Sequence, residues 1–476
     1  MTAVDPVAST LAGFVAALRP ESVPAEVSLR ARHLMLDAIG CALACRHESF
    51  ARGTAASIAM LTNGASGASG VIGHDLRLGL RDAALFNGML MHGLDFDDTH
   101  MAGVIHLTVS VLPTLLSLAA RQAIDGAELI TAYVAAVEAG ARIASAVRGG
   151  LHEQGFHPTG VVGHFAAALA AGRLMKLDVD TLAHAQGIAL STASGSLQFI
   201  EDGAWTKRLH PGWAAQAGLT AAAFAKNGMI APAAPYTGRH GLYRSFLAPS
   251  RAADVDASLA TRGLSSDGTV SDWELMAIAV KPFAMCHFVH AATDAAIVLH
   301  GQGIRPDAIA AIDVLVPQAA VALVCEPAER KRRPQNEYDA KFSLNYAVAS
   351  GLMNGRLGLA ELRPEAYVDP TAIALMDKVR YRVDPDSTFP RHYSGEVRVT
   401  LRDGTVLRHR EAVNRGHAER PVTNDEVQAK FMENATLHFP TAQAAAMRDA
   451  VLGLDRMTDV ADLEDVLCSN PLQQAP

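Results

Sequence analysis

Disulfide chemistry has little to work with in this chain. Five cysteines occur in 476 residues, an odd number scattered over Cys41, Cys45, Cys286, Cys325 and Cys468. That usage excludes a disulfide framework and points to a reducing, cytoplasmic setting, with Cys41 and Cys45 as small buried hydrophobes. Basic charge is also scarce. The formal net charge is −8 and the longest Lys/Arg run is Arg330-Lys331-Arg332-Arg333, so nucleic acid is not an expected partner. The run itself reads as a solvated loop, with contact to an anionic ligand as the sharper alternative. No stretch of about 18 uninterrupted apolar residues is present, so no membrane span is expected. The N-terminal MTAVDPVASTLAGFVAALRP carries Asp5 and no basic region ahead of its apolar part, unlike a secretion signal. The glycine-rich run 64–70 lacks a following Gly-Lys-Ser/Thr and is read as a flexible turn, not a phosphate loop.

What is present is apolar and helical. Half of the residues are hydrophobic, and the length favours two domains over one core. Leu11, Phe14, Val15 and Leu18 recur at helical spacing, as do Val27, Ala31, Leu34, Met35 and Ala38. The pattern continues through 108–123, 126–147, 159–175, 180–197 and 212–228, with Gly or Pro at the breaks. Many helical positions are Ala or Gly, which permits close approach. After about residue 275 the pattern changes. Strands are expected at 308–317, 379–383 and 395–401, the last joined through Arg402-Asp403-Gly404 to 405–410 as a hairpin. Helical stretches near 286–302 and 339–355 lie between them. Thr423 and Glu426 have capping-box spacing for a returning helix. The expectation is a mainly α fold. A large all-α helical domain formed by both chain ends, 1–274 and 419–476, accompanies a smaller α+β domain over 275–418.

Chemistry concentrates in His92-Gly93-Leu94-Asp95-Phe96-Asp97-Asp98-Thr99-His100, with His106 shortly after. Acids and imidazoles this crowded, in a chain with 19% charged residues, must find partners and push each other's pKa values apart. Asp95, Asp98 and Thr99 would share a face if helical, with Asp97 pointing elsewhere, to cap or orient only, and His106 beyond a loop. His157 precedes a helical run, where backbone N–H groups suit a carboxylate. Lys207 also precedes a helix and is a point charge suited to a carboxylate or a developing enediolate. His210 is expected to brace its turn. Cys286 and His290 have i, i+4 spacing, but Cys286 is read as packed. Asp97-Asp98-Thr99-His100-Met101 lacks the third Asp of a magnesium-diphosphate motif, and 5% aromatics is thin for a carbocation pocket. No His-x-x-x-His or Cys-x-x-Cys pair occurs. No metal and no cofactor is expected.

The segment 83–100 resembles the MmgE/PrpD family, which includes 2-methylcitrate dehydratases, cis-aconitate decarboxylases and an iminodisuccinate epimerase. Further blocks agree in order: Gly155-Phe156-His157-Pro158-Thr159-Gly160, Thr206-Lys207-Arg208-Leu209-His210-Pro211-Gly212, Lys281-Pro282-Phe283 with Cys286 and His290, and Ala340-Lys341-Phe342-Ser343-Leu344-Asn345-Tyr346. The resemblance implies a helical domain with an α+β lid and a homodimer. It implies catalytic roles for Asp95, Thr99, His106, His157 and Lys207, and places Lys281, His287, His290 and Lys341 as substrate-binding candidates. The function it implies is a cofactor-independent lyase acting on a small di- or tricarboxylate by proton abstraction α to a carboxylate. His106 or His157 would be the base and Asp95 the group that fixes its tautomer. Relative to the animal decarboxylases, one extra residue separates Thr99 from His106, and Cys286 stands where they carry a histidine. That departure puts a 2-methylcitrate dehydratase-like activity first, with an epimerase or a decarboxylase as alternatives and a non-catalytic helical scaffold as the outside one.

Overall fold

The computed structural model describes residues 5–470; the first four residues of the N-terminal segment lie outside them. Helix accounts for 57% of the chain, against about a third in ordinary globular proteins, so the fold is mainly α with a small α+β part. The chain packs as two compact units, Met1–Ile278 with Thr423–Pro476, and Ala279–Val422. Among the described residues no helix is long and apolar enough to cross a membrane.

The first unit is organised around the helix Pro158–Leu174, in which all residues but Arg173 are buried. A helix apolar all round must be enclosed by others, and small residues set how closely they come. A Cβ at Gly218 of the helix Thr206–Lys226 would lie 2.4 Å from the Ala167 Cβ. That same helix crosses the helix Leu80–His92 at Gly212 and Gly88. A Cβ at Gly212 would stand 2.0 Å from the Leu85 carbonyl oxygen, and one at Gly88 would stand 2.7 Å from the Gly212 Cα. This crossing brings the C-terminal end of Leu80–His92 to the N-terminal end of Thr206–Lys226, where the reactive side chains gather. The C-terminal helix Asn424–Ala435 starts with the expected capping box of Thr423 and Glu426. It packs Phe431 over Gly40 of the helix Ala25–Ala44. Its Lys430 pairs with buried Asp37 at 2.6 Å and donates to the Phe96 carbonyl at 2.7 Å, which ties the far end of the chain to the reactive loop.

The second unit is a four-stranded sheet of β1 (Ile309–Val316), β2 (Val379–Val383), β3 (Gly395–Leu401) and β4 (Val406–Glu411), in the order β2-β1-β3-β4. β1 runs parallel to β2, with Ile312 opposite Val379, and antiparallel to β3, with Ile312 opposite Val399. A register shift between Ile309 and Ala311 lets Ile309 and Ile312, three apart, both be buried. The β3–β4 hairpin closes through Asp403-Gly404, where Gly404 has φ +87 and Leu401 N–H donates to the Thr405 carbonyl at 2.8 Å. Helices His290–His300 and Leu344–Asn354 cover the sheet.

Several local expectations need correction. The stretch 339–355 is two helices, because the Ser343 hydroxyl accepts from Tyr346 N–H and starts a new one. The stretch 286–302 begins as a short 3₁₀ turn at His287–Val289 before the helix proper. The end of the glycine-rich run is not a free turn, since Ser69-Gly70 pairs with Arg77-Leu78. The basic run is not a loop either: Ala328–Arg332 is helical.

Candidate active site

The helix Leu80–His92 ends at Gly93, and residues 95–98 are neither helix nor strand. Asp95, Asp98 and Thr99 therefore do not share a helical face, contrary to the spacing argument. Asp95 has φ +52, a left-handed conformation that Asp tolerates better than most side chains. It turns its carboxylate onto the Lys207 ammonium at 2.7 Å. Lys207 is the second residue of its helix, where the helix dipole disfavours a cation. Local propensity does not explain a lysine there; the ion pair with Asp95 does.

Asp97 occupies the centre. Its fully buried carboxylate receives the His92 Nδ1–H at 2.9 Å on both oxygens and lies 3.2 Å from His106 Nδ1. His106 Nδ1 also donates to the Asp98 carbonyl at 2.6 Å, and Thr99 Oγ1 is 3.4 Å away. Burial alone would raise the Asp97 carboxyl, but the two imidazoles outweigh it and hold Asp97 well below the usual carboxylate range. Burial pushes His92 down to about 4. The ionised Asp97 carboxylate accepts at Nδ1 of both rings, and the Asp98 carbonyl also accepts at His106, so each ring carries its proton on Nδ1, and neutral His92 has Nε2 as its basic atom. Asp97, read from sequence as pointing elsewhere to cap or orient, is the carboxylate that meets both imidazoles, while Asp95 pairs with Lys207.

His106 reaches this position through a tight turn. His100 and Ile105 exchange backbone hydrogen bonds of 2.8 and 3.2 Å, and Val104 between them has φ +49. The His106 N–H then donates to Thr159 Oγ1 at 3.1 Å.

His157 is the N-cap of Pro158–Leu174, though its side chain makes no cap bond. Its N–H donates to the Gly195 carbonyl at 2.8 Å, and its Nδ1 lies 3.0 Å from His210 Nδ1. His210 is thus a partner of His157 within a helix, not a brace for a turn. The His106 and His157 ring centroids are 6.1 Å apart, with His92 4.8 Å from the first and 5.8 Å from the second. Burial, then the Lys207 ammonium, then the surrounding imidazoles hold His157 well below its ordinary value. Asp98 shows the opposite shift. Burial raises it to about 8, against a hydrogen bond from Thr108.

The five residues expected to be catalytic therefore all lie in the first unit around one buried cluster. His92, Asp97 and His210 belong to it too, although none was among the residues given a catalytic or substrate-binding role. For His92 and Asp97 the sequence signal was the His-x-x-x-x-Asp spacing inside an apolar context. His92, His106 and His157 bring ligand atoms within 4.8 Å of one another, as do His92, Asp95 and Asp97. Such donors could hold a divalent ion, but the Lys207 ammonium beside them opposes one and we assign none. In the second unit Lys281, His287, His290 and Lys341 are all buried. His287 and His290 ring centroids are 4.5 Å apart, His290 Nε2 meets the Met285 carbonyl at 3.2 Å, and Lys341 pairs with Glu337 at 2.6 Å. Cys286 N–H donates to the Lys341 carbonyl at 2.9 Å.

Comparison with known proteins agrees with this architecture. A cis-aconitate decarboxylase-like protein of Aspergillus oryzae is 27% identical over 474 residues, covering 96% of both chains. The cis-aconitate decarboxylase of Mus musculus is 26% identical over 99% of this chain and 94% of its own. The mitochondrial 2-methylcitrate dehydratase of Yarrowia lipolytica is 29% identical over a shorter stretch, 36% of this chain and 35% of its own. Residues 9–253 match the MmgE/PrpD N-terminal domain and residues 283–456 the MmgE/PrpD C-terminal domain. With most of its length covered by both halves of one pattern, the chain belongs to the MmgE/PrpD family.

Proposed function

We propose that the chain is a cofactor-independent lyase acting on a small di- or tricarboxylate, and that its first step removes a proton next to a carboxylate. The observation that carries this reading is the fully buried, neutral His157 beside an ammonium already paired with a carboxylate. A neutral imidazole in a dry cluster is a base awaiting an acidic C–H, and a paired ammonium is a ready partner for an incoming carboxylate. His106 or His157 takes the α proton, and Lys207 shifts from Asp95 to the substrate carboxylate and steadies the enediolate charge. The imidazolium so formed returns that proton, directly or through the neighbouring imidazole, to the leaving hydroxyl, so the carbon–oxygen bond breaks, water departs and the imidazole is neutral again.

Dehydration of a 2-methylcitrate-like alcohol is the first reading, because a base-first step uses the His157 imidazole in the neutral form in which burial holds it. Loss of CO₂ from a cis-aconitate-like substrate is the second, favoured by the full-length similarity to decarboxylases. In that case the carbon–carbon bond to the carboxylate breaks and the carbon takes a proton from an imidazolium. Decarboxylation then consumes a proton and slows as pH rises, whereas base-first dehydration slows as pH falls. Inversion at carbon needs only the base and its conjugate acid and is the remaining outcome. The proposal includes a homodimer working in a reducing cytoplasm, where the five buried thiols stay free.

The test is incubation with 2-methylcitrate, citrate, cis-aconitate and iminodisuccinate in D₂O, followed by NMR. A new alkene with release of water supports the first reading, and labelled CO₂ the second. Deuterium exchange without net product indicates inversion. Turnover of none of the four, or full turnover by both His106→Ala and His157→Ala, refutes the proposal.

A further inference from the structure

Phe96 stands between the two acids on which the reactive cluster is built. Asp95 on one side turns to Lys207, and Asp97 on the other accepts from His92 and lies against His106. Whatever fixes Phe96 therefore fixes both carboxylates. Residues 95–98 belong to no helix or strand, so regular backbone pairing does not hold them.

Lys430, on the helix Asn424–Ala435, reaches Phe96 across 334 positions of sequence. Its ammonium donates to the Phe96 carbonyl at 2.7 Å and stands 3.6 Å from the centroid of the Phe96 ring, a cation–π contact. The same ammonium pairs with Asp37 of the helix Ala25–Ala44 at 2.6 Å. All three residues are buried. One cation thus holds both the backbone and the side chain of a single loop residue.

Stability alone does not account for an ammonium in this place. Desolvation of a buried ion pair offsets much of its attraction, and well-packed apolar side chains often serve a fold equally well. An apolar side chain at position 430 could still pack on the Phe96 ring, but it could not donate to the carbonyl. A buried carbonyl that loses its donor is costly. The segment would shift to find another partner, and the directions of the Asp95 and Asp97 carboxylates would shift with it. Charge adds to the effect. Burial, with Asp97 as a lesser cause, raises Asp37, and the Lys430 ammonium opposes the rise. The ammonium therefore also offsets repulsion between Asp37 and Asp97.

We propose that Lys430 is a positioning residue: by holding Phe96 it sets the directions in which Asp95 meets Lys207 and Asp97 meets the imidazoles. Its consequence for turnover deepens the lyase reading and rests on it, whereas its consequence for the imidazoles does not.

The ¹⁵N imidazole shifts of His92 and His106 in the full chain read the positioning without substrate. Steady-state kinetics on the best substrate of the NMR panel read its effect on turnover. Lys430→Met keeps an apolar stem against Phe96 and removes the donor. Lys430→Met/Asp37→Val removes both charges, so no buried carboxylate is left unpaired, and it serves where the single variant does not fold. Phe431→Leu is the control, since it loosens the same helix over Gly40 without removing the ammonium. The expected result in the Lys430 variants is loss of the Nδ1–H form at one ring or both, with a fall in kcat of at least tenfold that exceeds any rise in KM. Phe431→Leu should lower Tm with parental shifts and parental kcat. Parental shifts at both rings of the Lys430 variants, parental kcat in them, or equal changes in Phe431→Leu overturn the proposal. If the parent turns over none of the carboxylates, the lyase reading fails and the shifts alone decide this one.

Discussion

Asp97→Asn is the sharpest perturbation of the reactive cluster. The substitution keeps shape and volume in a fully buried position, so packing is retained. What changes is hydrogen-bond polarity. The carboxylate accepts from His92 and His106 at once, whereas an amide has one accepting oxygen and one donating nitrogen. One imidazole must therefore turn over its tautomer and present an N–H where its lone pair had been. A hydrogen bond to a charged group contributes about 1.5–3 kcal/mol. Losing charge assistance at both imidazoles thus weakens the alignment of the base by about 3–6 kcal/mol, or about 10²–10⁴ in rate at 1.4 kcal/mol per decade. Stability should move little, because the amide also removes a buried charge. The assay is kcat and KM on the best substrate of the NMR panel, thermal melting, and ¹⁵N imidazole shifts to read the tautomers. The expected result is a fall in kcat of at least a hundredfold, unchanged KM, a melting point near the parent's and a changed tautomer at one ring. A variant keeping half of the parental kcat with both Nδ1–H tautomers intact would refute the reasoning.

Other outcomes follow from the same geometry. Lys207→Met should raise KM steeply, because it removes the partner for the substrate carboxylate, and the Asp95 carboxylate, no longer paired with an ammonium, should repel it; steady-state kinetics read this directly. Gly212→Ala forces a methyl onto the Leu85 carbonyl, 2.0 Å away. Overpacking of this kind costs about 1–3 kcal/mol or more, so differential scanning calorimetry should record a lower Tm and kinetics a loss of turnover. Asp98, raised to about 8 in the fold from an ordinary value of 3.8, is protonated when folded and ionised when unfolded between those values. Its contribution is complete below the lower value and is lost as pH rises through the upper one, by about 1.4 kcal/mol per pH unit. Histidines that burial holds at about 4, among them His92, His164 and His210, add the opposite slope below their ordinary 6.5, so denaturant titrations should show the decline between pH 6.5 and 8, and Asp98→Asn should flatten it there.

Much of the fold was legible because its signals are local. β2 spans the residues that alternation alone identified, the β3–β4 turn is the Asp-Gly step, and Thr423 caps its helix as spacing required. Where a serine could cap inside an apolar run, at Ser343, periodicity could not reveal that one helix is two. The site was legible as a neighbourhood but not as a wiring diagram. The identities of Asp95, Thr99, His106, His157 and Lys207 were readable from motif blocks. Which aspartate meets which partner depends on a single backbone choice, the left-handed turn at Asp95 that sends its carboxylate to Lys207 and leaves Asp97 facing the imidazoles. Helical spacing gave the opposite answer because it assumed a conformation that ends at Gly93. His210 was misjudged for a related reason: its partner His157 lies 53 positions away, a separation at which no periodicity carries information.

Val104 has a consequence for how this protein can change over time. A branched side chain at φ +49 is unfavourable by about 1–2 kcal/mol relative to its relaxed form, and the paired backbone of His100 and Ile105 holds it in place. Exchange for glycine would relieve that tension and harden the fold against heat. It would also widen the range of conformations open to the turn that delivers His106. Robustness and reactivity therefore pull this one position in opposite directions, and a lineage selected only for endurance would be expected to drift toward a quieter catalyst.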